Sequence, residues 1–167
     1  MNRGISFDLM SGMENRSLLL RWGGVFFLSA VAVYVMAYVD LIFRARAAYL
    51  EGEKYLEWNE HPELKKAYYD QVFARRKKRI EADFESGRLT QAEETQKIEL
   101  ARFREKERLS ESSLKYAYIW FQTAVKLFSP PESRWVQLSR KEMPKTLSLW
   151  KKELDARHIP YQDYMFE

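Results

Sequence analysis

Histidine is the side chain best suited to hold a metal or move a proton near neutral pH, and this chain has two, His61 and His158. Each stands beside a proline-containing break and they lie far apart in sequence, which predicts turn, capping or solvent-facing roles rather than a shared metal centre. There is no cysteine, so disulfides, thiolate metal sites, covalent haem attachment and cysteine nucleophiles are excluded. Glu51, Glu53, Glu57, Glu93 and Glu94 come in runs among lysines and arginines, as on the solvated face of a helix, and nothing isolates an acid from a base. Phosphate loops, dinucleotide fingerprints, zinc-hydrolase helices and serine elbows are absent. The expectation is a chain that is no enzyme and holds neither cofactor nor metal.

Two other residue groups could carry binding. Arg75, Arg76, Lys77, Lys78 and Arg79 form an uninterrupted basic cluster, a candidate contact for anionic lipid if it lies near a bilayer and otherwise a solvated helix face. Nucleic acid is not expected: the cluster has no interleaved aromatics, and 28 basic against 24 acidic residues leave a net charge of only +4. Aromatic residues make up 15% of the chain, and Tyr116, Tyr118, Trp120 and Phe121 crowd into the single run LKYAYIWFQTAVKLF. The run is dense in large apolar groups around most of its circumference and is expected to be the most buried soluble helix. A domain this small nevertheless has limited capacity to bury them all, so these four, with Trp135 and Trp150, are also a candidate docking surface.

The elements that position these groups begin with the apolar run WGGVFFLSAVAVYVMAYVDLIF, residues 22–43. Its 22 residues make roughly 33 Å of helix, enough to cross a hydrocarbon core of about 30 Å. A mean hydropathy of −0.52 for the whole chain conceals this segregation. The run holds one charge, Asp40, near its end; Trp22 and Tyr38 are placed as interfacial anchors, and Arg21, Arg44 and Arg46 flank it. It is longer than the usual signal-peptide core and no small-x-small site with a polar mature start follows, which predicts an uncleaved anchor. No histidine in the run is available to ligate haem or chlorophyll. Gly23, Ala30 and Ala37 recur every seven residues and form a stripe along which another membrane helix can approach closely. Sidedness is weakly encoded, since Arg3, Arg16 and Arg21 on one flank nearly balance Arg44, Arg46 and Lys54 on the other. The expected arrangement is single-pass in a bacterial inner membrane, with the C-terminal domain in the periplasm.

Behind the span the pattern predicts an all-α fold: a single N-terminal transmembrane helix followed by a small helical domain made of a helical hairpin and aromatic-rich helices. Helical periodicity continues to about Trp58, and Asn59, Glu60, His61 and Pro62 break it. Residues 62–109 read as a charged hairpin, turned at Gly87 and restarted by a Thr90-x-x-Glu93 capping box. The stretch ESGRLTQAEETQKIEL, residues 85–100, resembles the short helical hairpin of the bacterial SHOCT family, with its glycine, aliphatic, threonine and following acids. That resemblance covers fewer than twenty residues in mid-chain, where the family's motif is usually terminal, and implies a local helix-turn-helix without a function. Residues 110–158 read as the aromatic-rich region, with a second capping box predicted at Ser129, Pro130, Pro131 and Glu132 and a kink or restart at Pro144. The remaining boundaries are a leading tail over 1–21, a juxtamembrane helix and break over 44–61, and a tail over 159–167 expected to tuck against a partner or fray.

Together these features predict a structural or assembly subunit of a larger membrane complex, whose partners are other membrane-protein subunits and lipid. A self-associating membrane-anchored scaffold or signalling adaptor, and hence a homo-oligomer, is the alternative; lipid binding through residues 75–79 is a third. The stripe generates a specific expectation: Ala30→Leu with Ala37→Leu weakens assembly, read as loss of co-migrating subunits from a mild-detergent extract, while resistance to alkaline extraction shows insertion intact. Unchanged assembly would reduce the span to a tether.

Overall fold

Runs of helix formers separated by short proline, glycine and serine breaks fold into five α-helices in the computed structural model, which describes the backbone of residues 6–166 and the side chains of residues 22–166. These are α1 (Ser6–Glu60), α2 (Pro62–Glu85), α3 (Gln91–Ser110), α4 (Ser113–Leu127) and α5 (Arg134–Ala156), with a 3-10 turn at Asp163–Phe166. The fold is all-α, and no strand occurs among the described residues. The side chains of Arg3, Arg16 and Arg21, on which the charge comparison across the span rests, lie outside the described residues. The chain divides into two compact units, one ending at Phe43 and one spanning Arg44–Glu167.

In the first unit every residue from 22 to 40 is exposed, and the exposed side chains, Trp22, Phe26, Leu28, Val33 and Met36 among them, are apolar around the whole helix circumference. A helix apolar on all sides needs a non-aqueous surrounding or a partner along its length. The chain thus has one helix long and apolar enough to cross a membrane among the described residues. Its polar Ser29 turns inward, donating from Oγ to the Val25 carbonyl at 2.9 Å, which satisfies the hydroxyl without water.

The second unit is organised by a small-residue face. Ala45, Ala48 and Gly52 fall at i, i+3 and i+7 on α1, and all three are buried. Against them packs α4, whose Ala117, Phe121 and Ala124 are fully buried. The Phe121 ring takes the place of a Gly52 side chain: a Cβ there would stand 2.5 Å from the ring carbon Cε1. Tyr49 lies beside the same ring at 5.8 Å and beside Trp135 of α5 at 5.6 Å, while Tyr55 stacks on Tyr116 at 5.2 Å. As residue numbers rise along α1 they fall along α4, so the two run antiparallel. Burial is the first cause that lifts the Tyr49 hydroxyl to about 12, and its hydrogen bond to Glu53 adds to it.

Antiparallel α4 and α5 form one hairpin, tied by the Ser112 hydroxyl to Glu153 and by Tyr118 against Trp150 at 5.7 Å. Its turn departs from the expected capping box. Ser129 and Glu132 bond to each other by their side chains at 2.8 Å, Glu132 also pairs with Arg140 at 2.7 Å, and the helix starts later with Ser133 as cap. Pro144 sits inside α5 without ending it. The C-terminal residues fold back on their own chain: Phe166 is buried at 5.0 Å from Trp150, its carbonyl accepts from the Tyr118 hydroxyl, and it also accepts from Gln122 Nε2 at 3.0 Å. Lys151 completes this lock through Asp163 at 2.7 Å.

Helix propensity favours alanine over glycine by about 1 kcal/mol, so the sign of Gly52→Ala is diagnostic. With Phe121 0% exposed and unable to retreat, the variant is expected to lose about 1–3 kcal/mol of domain stability in chemical denaturation. Adding Phe121→Ala should make the second loss smaller than that of Phe121→Ala alone.

Candidate functional site

The three groups singled out by residue type end in different places. Gly23, Ala30 and Ala37 are exposed in the first unit, and Gly23 has nothing within 4 Å of a Cβ position, so the stripe is open along its length. The aromatic set is largely consumed inside the second unit. Phe121 and Tyr118, expected on a docking face, are core residues at 0% and 5% exposure, because the alanines and glycine of α1 leave room for them. Trp150 is half-buried under Phe166, Trp135 under Tyr49 and Arg46, and Tyr116 under Tyr55 with its hydroxyl accepting from Arg108 at 3.0 Å. Trp120 is half-buried like Tyr116, Trp135 and Trp150, and among the described residues no ring or cation stacks on it.

The basic cluster is divided by the helix that carries it. Successive residues step about 100° around an α-helix, so five consecutive cations cannot share a face. Arg75, Arg76 and Arg79 line a groove between α2 and α3, Lys77 pairs with Glu81 at 3.5 Å, and Lys78 is exposed elsewhere. Two further cations, Lys97 and Arg104, enter the groove from α3. The cluster therefore becomes a five-cation channel of about 490 Å3, with Val72, Ile80, Leu100 and Ala101 beneath it.

Local chemistry sets the hairpin that forms this groove. Gly87 takes φ +74°, the left-handed conformation that ends α2 without Cβ strain, and Arg88 N–H donates to the Asp83 carbonyl at 3.0 Å. The predicted capping box is formed: Thr90 Oγ1 accepts from Glu93 N–H at 3.3 Å, and Glu93 accepts from Thr90 N–H at 2.8 Å. These bonds hold the Glu93 carboxyl below its usual range, the backbone bond first. At the other end Lys65 reaches across from α2 and donates from Nζ to the Glu111 carbonyl at 2.6 Å and the Leu109 carbonyl at 3.3 Å. A cation there satisfies free carbonyls and meets the negative end of the α3 dipole, which accounts for a lysine that is only 7% exposed. Burial lowers its pKa.

The charges along the hairpin are uneven. Near Tyr69 and Phe73, Arg76, Arg104 and Arg108 face Glu105 and Glu107. In the adjoining channel Asp83 is the one carboxylate, and Arg88, from outside the lining, already holds it at 3.1 Å. None of the five channel cations forms an ion pair among the described residues. Lys97 and Arg104 lie outside the 75–79 run, and only the antiparallel register across the turn identifies them as part of the same site. Gly52 gave no sign in sequence beyond its spacing from Ala45 and Ala48.

His61 and His158 sit in separate helix-end turns. His61 Nδ1 lies 3.2 Å from Glu63, and His158 adopts φ 54° while its N–H donates to the Asp155 carbonyl at 3.0 Å. No cluster of three or more potential metal ligands occurs among the described residues. No protein-family model, curated protein or solved structure matches the chain.

One carboxyl pair bridges the hairpin. Burial, then a hydrogen bond with Asp70 and the charge of that neighbour, raise the Glu105 pKa, against the opposing pull of Arg102. A raised folded-state value stabilises the fold while the carboxyl is protonated, and this contribution is lost as pH rises through that value. Glu105→Gln keeps a donor for Asp70 at all pH. The variant is expected to melt higher than the parent chain at neutral pH, with the gap closing on acidification below the usual carboxylate range. A gap independent of pH would show that the pair does not titrate as described.

Proposed function

We propose that this chain is a non-catalytic anchoring and assembly subunit of a membrane complex. The first unit supplies a span that packs beside other membrane helices, and the helical domain docks on neighbouring subunits. The observation that carries this reading is the open channel between α2 and α3, lined by five cations and one carboxylate, where none of the cations forms an ion pair among the described residues. Isolated domains normally interleave such charges with carboxylates, as the rest of this surface does, because like charges held together repel. A channel with this excess of positive charge, on a chain with an anchor, is supported best as a seat for another subunit. The aromatic residues serve the internal packing of the domain.

Mild-detergent extraction from its native membrane, followed by native mass spectrometry, tests the reading. The expected result is a stoichiometric assembly with at least one different polypeptide. A monodisperse monomer without partners contradicts it, and a homo-oligomer of this chain alone would replace it with the self-associating scaffold.

A further inference from the structure

The channel also specifies what should fill it. On α2, Val72, Arg76, Ile80 and Asp83 recur at helical spacing; on α3, Lys97, Leu100, Ala101 and Arg104 do the same in the opposite direction. The α2 row spans about 17 Å, or three helical turns. Its floor is apolar and its walls are cationic. Ile80 is 8% exposed and Ala101 5%, while Val72 is half-buried and Leu100 46% exposed, so the hairpin's own seam leaves part of the floor's apolar surface open. Two antiparallel helices with a partly covered seam present the groove that a third helix occupies in a bundle.

We infer that this groove seats an acidic amphipathic helix of a protein partner, its apolar stripe on Val72 and Leu100 and its flanking carboxylates against Arg75, Arg76, Arg79, Lys97 and Arg104. The inference rests on the proposed assembly role and names the chemistry of the partner at that surface. Charge complementarity fixes the sign, the apolar floor requires an apolar stripe, and the three-turn length fits a helix that reads i, i+3, i+4 and i+7 anchors. A bilayer surface fits less well. Lys77 and Lys78 lie roughly 130° around α2 from the groove centre at about 100° per residue, so the cluster does not present its five charges to one plane. Lys77 is also already paired with Glu81. The groove cations instead converge on a concave site narrower than a membrane.

The test uses the full chain in detergent micelles and a fluorescent synthetic helix of heptads with leucine at the core positions and glutamate flanking them, followed by anisotropy. A matched helix with lysine in place of glutamate is the control. Arg76→Glu with Arg104→Glu changes the groove, and Lys77→Glu with Lys78→Glu makes the same change in charge outside it. Saturable binding of the glutamate helix alone is expected, weakened by about tenfold or more in the groove variant and by less than about twofold in the other. Should the groove variant lose its helical circular dichroism, Arg79→Gln with Arg104→Gln serves in its place, with the same direction expected. Equal losses in both variants, or no saturable binding to the parent chain, would overturn the inference. So would a larger effect of either variant on binding to vesicles of phosphatidylcholine and phosphatidylglycerol than on the helix, which would make the site a lipid contact. Native complexes that keep their composition when the groove variant replaces the parent chain overturn the groove inference and leave the assembly role standing; a parent chain without partners overturns both.

Discussion

Phe121 occupies the space that any side chain at position 52 would need, and the second unit is arranged around that fit. The 44–60 stretch of α1 offers a face of Ala45, Ala48 and Gly52, flat enough for α4 to approach closely. Burying a phenylalanine fully contributes about 2–3 kcal/mol, and the close approach lets Ala117 and Ala124 reach the same surface. Once α4 is seated, α5 closes over it through Trp150 and Val136, and the chain's end is held by its Phe166 carbonyl against Tyr118 and Gln122. Below the fit, Trp58 packs with Tyr55, Tyr68 and Tyr69, and the Lys54 ammonium lies 5.0–5.8 Å from three of these rings. That cluster carries the order of α1 across the His61 break into α2.

The α2–α3 hairpin obeys a different logic. Its shape depends on terminal chemistry: a left-handed glycine, a reciprocal cap and a lysine that closes the far end. Such features fix the direction of two helices without needing a large core between them. The consequence is an element whose geometry is set but whose apolar and cationic surface is not covered. The proposed assembly role draws on this pairing of an aromatic-packed domain with a hairpin whose groove is partly open.

Much of this was legible in the sequence, for reasons that follow the range of each interaction. The long apolar helix, the break at His61 and Pro62, the Gly87 stop and the Thr90 and Glu93 cap are encoded within a few residues of each feature, and the break, stop and cap stand where residue type and spacing put them. The α5 start was misplaced because Ser129 spends its hydroxyl on the Glu132 side chain, leaving Ser133 to cap the helix, a choice that Arg140 reinforces from two turns on. The sequence marks the α4 run as the most buried soluble helix but leaves Tyr118 and Phe121 open between core and docking face, because nothing local announces that Ala45, Ala48 and Gly52 form their complement. The small-residue stripe that sequence did pick out, in the long apolar helix, is exposed among the described residues. Long-range complementarity of this kind becomes visible only when the helices are placed.

Native-state hydrogen exchange with mass-spectrometric readout tests the central claim, that residues 44–60 and α4 are one cooperative structure. The account predicts that amides of 45–58 and 117–124 exchange through the same global opening, with equal free energies and equal dependence on denaturant. Exchange of 45–58 at a distinctly lower free energy, while α4 stays protected, would contradict it.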